Sequence, residues 1–265
     1  MLRRARITVA YDGSGFHGFA EAEGVRTVLG ELRRVISVVT RHDVELVGAG
    51  RTDAGVHGHG QVISGDLPEA TDLVDLCRRI NRMLGPAIAL RDPEWTTDPE
   101  FHARFSATWR RYRYHVLHSA APEPLLATAV WHVPQRLDVR AMQLACDPLI
   151  GEHDFSSFCR RPKVDEGATA PSMTRRILSA TWSEVTGDVV PGPIDGLLRF
   201  EITANAFCHQ MVRSIVGTLV EVGLGKRSAG DMRRVLLARD RSAAGQVAPP
   251  DGLVLWKVGY GDPAR

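Results

Sequence analysis

Arg4-Ala5-Arg6-Ile7-Thr8-Val9-Ala10-Tyr11 sets Ile7, Val9 and Tyr11 on one side of an extended chain, against smaller or polar residues. That period of two is the mark of a half-buried strand. A glycine-rich loop follows. Then Val28, Leu29, Leu32, Val35, Ile36 and Val39 recur at helical spacing behind Thr27, a suitable N-cap. Residues 44–47 and 61–64 read as two further strands. Leu73, Leu76, Cys77, Ile80 and Leu84 form a second amphipathic helix stopped by Gly85-Pro86, and Ile88–Leu90 is a short closing strand. The order is β-α-β-β-α-β, that of the ferredoxin-like split βαβ unit.

A similar order, approximating β-α-β-β-α-β, returns after residue 100. Tyr112, Tyr114 and Val116 alternate with Arg111, Arg113 and His115, and residues 130–133 make a short strand. A helix is expected over 139–149, strands over 177–185 and 197–203, helices over 207–222 and 231–237, and a last strand over 253–258. The repeat is one of element order, without residue-level similarity. Residues 160–174 hold prolines and glycines without periodicity and read as a loop. The expected fold class is therefore α+β, in two domains, 1–100 and 101–265. Each is a ferredoxin-like β-α-β-β-α-β half, and together they would form an antiparallel sheet with helices on one face and a central cleft.

Length and composition agree with this. A chain of 265 residues corresponds to about 1.8 domains of ordinary size. Its 44% hydrophobic and 24% charged residues are those of a globular protein, which excludes disorder and coiled coil. No apolar run approaches the length of a membrane span, and no signal-peptide core follows Arg3-Arg4, so a soluble, cytoplasmic protein is expected. The four cysteines form no Cys-x-x-Cys pair and read as reduced, packed thiols. Net charge is only +2, yet Lys163, Lys226 and Lys257 are the only lysines among 33 cations. A coding bias would produce this, and so would a need for bidentate phosphate contacts, which arginine makes and lysine does not. Arg104, Arg110, Arg111 and Arg113 cluster, as do Arg160, Arg161 and Lys163. Such local basic stripes suit a nucleic-acid cleft, although a solvated face has the same composition.

Three segments could carry chemistry. Gly13-Ser14-Gly15-Phe16-His17-Gly18 has the G-x-G-x-x-G spacing of a dinucleotide loop, but residues 19–26 separate it from the helix and the order that follows is not that of a parallel sheet. It reads as a loop lining some other ligand. His57-x-His59 would place two imidazoles on one side of a strand, as in some metal hydrolases, but no third ligand stands at a distinctive spacing. Gly48-Ala49-Gly50-Arg51-Thr52-Asp53-Ala54-Gly55-Val56-His57-Gly58-His59-Gly60 contains five glycines, expected where a bulky partner approaches the backbone, and carries Arg51 and Asp53. On composition alone that Arg–Asp pair reads as a surface ion pair worth under about 1 kcal/mol.

The stretch Gly50-Arg51-Thr52-Asp53-Ala54-Gly55-Val56-His57 resembles the signature of the TruA-type tRNA pseudouridine synthases. Tyr11-Asp12-Gly13-Ser14-Gly15-Phe16-His17-Gly18 and Gly24-Val25-Arg26-Thr27-Val28 are similar to the N-terminal blocks of that family. Residues 101–108 (Phe-His-Ala-Arg-Phe-Ser-Ala-Thr) and 111–114 (Arg-Tyr-Arg-Tyr) resemble its central stretch. Residues 154–158, 204–213 and 248–253 resemble its later blocks in the same order, so the likeness spans nearly the whole chain. Three positions depart: Phe19 stands where the family has Trp, Leu29 where it has Gln, and Leu84-Gly85-Pro86-Ala87 where it has Leu-Pro-x-Asp. These changes are read as touching RNA-facing loops, and so as bearing on substrate choice rather than catalysis.

The resemblance implies isomerisation of uridine to pseudouridine at positions 38 to 40 in the anticodon arm of tRNA, by a homodimer, with no cofactor and no metal. It makes Asp53 the catalytic carboxylate, either as a nucleophile or as the base that removes a sugar proton. Arg213 would pair with it; an opposite charge at about 4 Å is worth roughly 4 kcal/mol at an effective dielectric near 20 before desolvation. Tyr112 would lie against the target base, contributing about 1–3 kcal/mol of stacking. Arg51 would hold nearby phosphates and Leu253 would form an apolar floor under the base. Arg110, Arg111 and Arg160 would bind the RNA backbone and offset the few kcal/mol of flipping a base out of its stack. The rival readings are a catalytically idle RNA-binding homologue and a metal-dependent hydrolase built on His57 and His59.

Overall fold

The computed structural model describes residues 1–161, 171–186, 188–190 and 192–262. Strands are β1 (Leu2–Tyr11), β2 (Leu46–Gly48), β3 (His57–Pro68), β4 (Ile88–Trp95), β5 (Trp109–His118), β6 (Trp131–Val133), β7 (Gly151–Asp154), β8 (Thr174–Glu184), β9 (Asp188–Val190), β10 (Gly192–Pro193), β11 (Leu197–Ala204) and β12 (Leu253–Gly259). Helices are α1 (Val28–Thr40), α2 (Leu73–Leu84), α3 (Val139–Leu144), α4 (Met211–Gly223) and α5 (Asp231–Ala238). The class is α+β. Two compact units divide the chain: Met1–Trp109 with the stretch from Val254 onward, and Arg110–Leu253.

In the first unit β1 lies between β3 and β4, antiparallel to both, and β2 pairs antiparallel with β3. This is the 4-1-3-2 strand order of a split βαβ repeat. The alternation in β1 does what its period requires: Ala5, Ile7, Val9 and Tyr11 are buried while the residues between them are not. Those four join Val28, Leu32 and Ile36 of α1 and Leu76 and Ile80 of α2 in one core, so both helices cover the same face. Thr27 caps α1 by accepting from the Gly30 amide at 3.3 Å, and Asp72 caps α2 by accepting from Val74 and Asp75. β3 extends well beyond the four residues read as a strand, and its first residues, His57 and Gly58, pair parallel with Val254 and Leu255. That pairing sets most of β12 in the first unit.

In the second unit β11 is antiparallel to β5 and β8, β7 pairs antiparallel with β8, and β6 runs parallel to β5. α4 is buried on nearly every side, which fits its mostly apolar sequence. Gly217 is required there, because a Cβ would fall 1.7 Å from the Gln246 carbonyl oxygen. The helix expected over 139–149 ends at Leu144 and resumes as a 3₁₀ turn at Asp147–Leu149. Pro148 supplies no amide, and its ring conflicts with the carbonyl four residues earlier. The helix expected from residue 207 starts at Met211, behind Gln210 in the left-handed conformation, φ 63°. β7, Gly-Glu-His-Asp, carries no apolar alternation and left no signal.

The reading of the cysteines is corrected. Cys159 and Cys208 form a disulfide across a Cα–Cα distance of 5.7 Å, and only Cys77 and Cys146 are free, both buried. Spacing in sequence carried no information about a pair brought together by the folding of two distant loops. Of the loop expected over 160–174, residues 162–170 lie outside the described residues, and Thr174 opens β8. Among the described residues no helix is long and apolar enough to cross a membrane.

Candidate active site

Asp53 sits in the loop between β2 and β3, and almost every neighbour of it in that loop is pinned. Ala49 donates to the Val62 carbonyl at 2.8 Å, and the Gln61 side-chain amide donates to the Gly50 carbonyl at 2.8 Å. The hydroxyls of Tyr11 and Thr52 are 2.8 Å apart, while the Thr52 carbonyl accepts from the Phe19 amide at 3.1 Å. Val56 donates back to the Asp53 carbonyl at 3.2 Å, closing the turn. Thr52 and Val56 are buried, Asp53 is half-buried and Arg51 is exposed. A carboxylate is thereby presented from a loop whose backbone is held on both sides, the arrangement that a positioned catalytic group needs.

The glycines of this loop do admit bulky partners, but the partners are the protein's own rings. A Cβ on Gly48 would fall 2.1 Å from Phe19 Cε1, and one on Gly58 2.3 Å from Tyr11 Cε1. The segment read as a possible dinucleotide loop serves the same end. A Cβ on Gly13 would meet the Val56 carbonyl oxygen at 2.0 Å, and one on Gly18 the Thr52 carbonyl oxygen at 2.9 Å, so this segment lies directly against the Asp53 loop. The Gly13 amide donates to His57 Nδ1 at 3.1 Å. Asp12, 3.2 Å from that ring, titrates below its ordinary value: burial opposes the shift, but the Ser14 amide and hydroxyl and the His57 ring outweigh it. His59 stacks on Trp256 with centroids 4.1 Å apart. Both imidazoles of the His57-x-His59 pair are thus engaged by protein groups.

The second unit holds the other residues singled out in the sequence. Tyr112 is buried on β5, edge-on to Phe207 at 5.0 Å. Arg111, on the opposite face of that strand, reaches Thr203 Oγ1 at 3.0 Å and Glu201 at 3.6 Å, and Arg110 donates to the Asn205 carbonyl at 2.9 Å. Arg213 stands in the first turn of α4. Its Nε donates to the Ala248 carbonyl at 2.7 Å, and the Ala248 amide returns a bond to the Arg213 carbonyl at 3.1 Å. Leu253, buried, closes the same strap of chain, donating to the Pro250 carbonyl at 2.9 Å. Arg160 is exposed and donates its amide to the His209 carbonyl at 2.9 Å.

Two residues of this unit were not singled out. Tyr114 donates its hydroxyl to the Pro249 carbonyl at 2.7 Å, anchoring the strap that Arg213 also holds; burial pushes its pKa well up, against the nearby Arg213 charge. Arg241 donates to the Phe158 carbonyl and to Gln210 Oε1, at 3.1 and 2.8 Å. Its pKa is lowered by burial first, then by Arg160 and Arg213, so three guanidinium groups share one neighbourhood. Tyr114 was legible as a buried alternation on β5; Arg241 stood in no motif and left no signal.

Residues 145–261 match the family described as tRNA pseudouridine synthase. The chain is 39% identical to tRNA pseudouridine synthase A of Geobacillus sp. (strain WCH70), over 98% of this chain and 99% of that one. It is 38% identical to the enzyme of the same name from Bacillus subtilis (strain 168), over 97% and 99%, and 39% identical to that of Caulobacter sp. (strain K31), over 98% of each. The class is an isomerase that converts uridine to pseudouridine in tRNA. The chain belongs to the tRNA pseudouridine synthase A family. Two of its departures from the family pattern are corrected in meaning. Phe19 is 1% exposed and Leu29 9%, both in the core of the first unit, so neither faces RNA.

Proposed function

We propose that this protein isomerises uridine at positions 38 to 40 in the anticodon arm of tRNA, as a cytoplasmic homodimer, with Asp53 as the catalytic carboxylate. The observation that carries the reading is the loop around Asp53. Thr52 and Val56 are buried and the loop backbone is hydrogen-bonded on both sides, while Asp53 itself stays half-buried. The reaction breaks N1–C1′ and forms C5–C1′; the C5 proton is lost and N1 gains one, so atoms and electrons balance within one nucleotide. Asp53 acts by adding covalently to the ribose or the base, or by removing a proton from the sugar, and each step requires its ionised form. Arg213 is the cation proposed to pair with that carboxylate. Tyr112 is proposed to lie against the base, with Leu253 as its apolar floor. Arg51, Arg110, Arg111 and Arg160 are proposed to engage phosphates, and together with Arg241 and Arg213 the last of these adds to a positive neighbourhood suited to an RNA backbone.

The test is tritium release from unmodified tRNA carrying 5-tritiated uridine. Wild type is expected to release tritium, and Asp53→Asn to be slower by at least about a hundredfold with tRNA affinity kept. Alanine at Arg110, Arg111 or Arg160 is expected to weaken tRNA binding instead. An Asp53→Asn protein that lost binding as severely as turnover would refute this division of labour. Mapping pseudouridine in tRNAs that carry uridine at 38, 39 or 40 alone tests the position, and sedimentation tests the dimer.

A further inference from the structure

Phe105 is the only Phe, Tyr or Trp among the described residues that is classed as exposed, at 77%. It is not a loose side chain on a loose loop. The segment leading to it is anchored in the first unit at several atoms: Arg4 donates to the Phe101 carbonyl at 2.8 Å, the Ala103 amide donates to Ser64 Oγ at 3.0 Å, and the Tyr260 hydroxyl donates to the Ala103 carbonyl at 2.9 Å. Residues 102–106 then close on themselves. The Ser106 amide reaches the His102 carbonyl at 2.9 Å, and the His102 amide reaches Ser106 Oγ at 3.0 Å. His102 Nδ1 accepts from the amides of Arg104 and Phe105, both at 3.2 Å. The His102 ring also backs Phe105, with centroids 4.4 Å apart, and the exposed Arg104 guanidinium lies 5.6 Å from the Phe105 centroid.

None of the polar bonds that order this turn uses the Phe105 ring, so folding of the unit does not account for it. An aromatic ring held rigidly in water beside an arginine is what unpaired nucleobases stack on, and a neighbouring positive charge favours the adjoining phosphate. We propose that Phe105, backed by His102 and flanked by Arg104, is a stacking platform for an unpaired base of the tRNA, separate from the Asp53 loop. The inference rests on the reading of this chain as a tRNA-acting enzyme.

The experiment measures tRNA affinity by filter binding at fixed salt for wild type, Phe105→Ala, Phe105→Trp and Asp53→Asn, with tritium-release kinetics and sedimentation on the same samples. Phe105→Ala is expected to raise Kd by about tenfold or more, with the change in KM far exceeding that in kcat. Phe105→Trp is expected to bind as wild type does, and sedimentation is expected to be unaltered. Unchanged affinity in Phe105→Ala, on a wild type that binds and reacts, would overturn the inference alone. So would a Phe105→Ala protein that sedimented as a smaller species than wild type, since the ring would then be a contact between copies of the chain. A wild type that bound no tRNA would overturn the underlying reading and the inference with it.

Discussion

Asp53 and Cys208 stand at opposite ends of what single residues disclose. Asp53 lies in a motif whose neighbours, Arg51 to His57, single it out as a candidate without any knowledge of the fold, and the structure adds how Tyr11, Phe19 and Gln61 hold its loop. Cys208 lies in a loop that offers no hint of Cys159, because the two sulfurs meet only when two segments 49 residues apart pack together. A loop of that size would, on the chain-entropy account, stabilise by about 4 kcal/mol. The two free thiols are inert for a different reason: burial pushes Cys77 up to about 11 and Cys146 up to about 12, so little thiolate exists at neutral pH. Titration with a thiol reagent is expected to find no reactive thiol in the native protein and two after denaturation without reductant. All four should react after reduction. Four thiols without reduction would show the disulfide to be absent.

At the scale of elements, periodicity was a good guide wherever one segment packs by itself. α1 begins at the cap read from the sequence, Thr27, while the cap of α2, Asp72, came only from the structure. Replacing Thr27 with Ala leaves the Gly30 amide without its acceptor and is expected to lower stability by about 1 kcal/mol, read as a shift in the urea midpoint. Periodicity failed where a neighbour intervenes. Pro148 divides the third helix, and α4 starts only after Gln210, which is left-handed and accepts from Arg241. The strand β3 shows both outcomes: its central residues alternate legibly, while His57–Gly60 reads as loop because glycine is a poor strand former. Those glycines are there for Tyr11 and for the backbone of Trp256. Gly58→Ala is expected to cost about 1–3 kcal/mol by overpacking against the Tyr11 ring, and to lower turnover along with stability, since Tyr11 also holds Thr52.

For the whole molecule, charge acts through its arrangement rather than its total. A net charge of +2 gives no strong attraction to RNA, so binding is expected to depend on local arginine groups. The affinity for tRNA should fall steeply with added salt, and Arg160→Ala should reduce the slope of log K against log salt by about one; an unchanged slope would remove Arg160 from the interface. Acid stability follows from paired carboxylates. Asp66 titrates below its ordinary value because Arg4 hydrogen-bonds it, against the opposing effect of burial, and Asp154 because the Ser156 hydroxyl does so. A depressed carboxylate contributes stability that is fully present above the unfolded value, about 4, and is lost as pH falls through the lower folded value. The thermal midpoint is therefore expected to drop as pH is lowered below about 4, and Asp66→Asn should weaken that dependence.

What this sequence determined by itself was local: most of the strands and helices in their order, the Thr27 cap, the α+β class, and a set of short blocks that place the chain in its family and single out Asp53. Each is legible because the residues that encode it lie within a turn or two of one another. Tertiary structure alone decided that β12 pairs with the start of β3, that Phe19 and Leu29 are core residues rather than RNA-facing ones, that the glycines beside Asp53 receive the chain's own rings, and that Cys159 finds Cys208. These are contacts between segments far apart in sequence. Their partners are selected by shape and burial once the elements have packed, and no window along the chain records that choice.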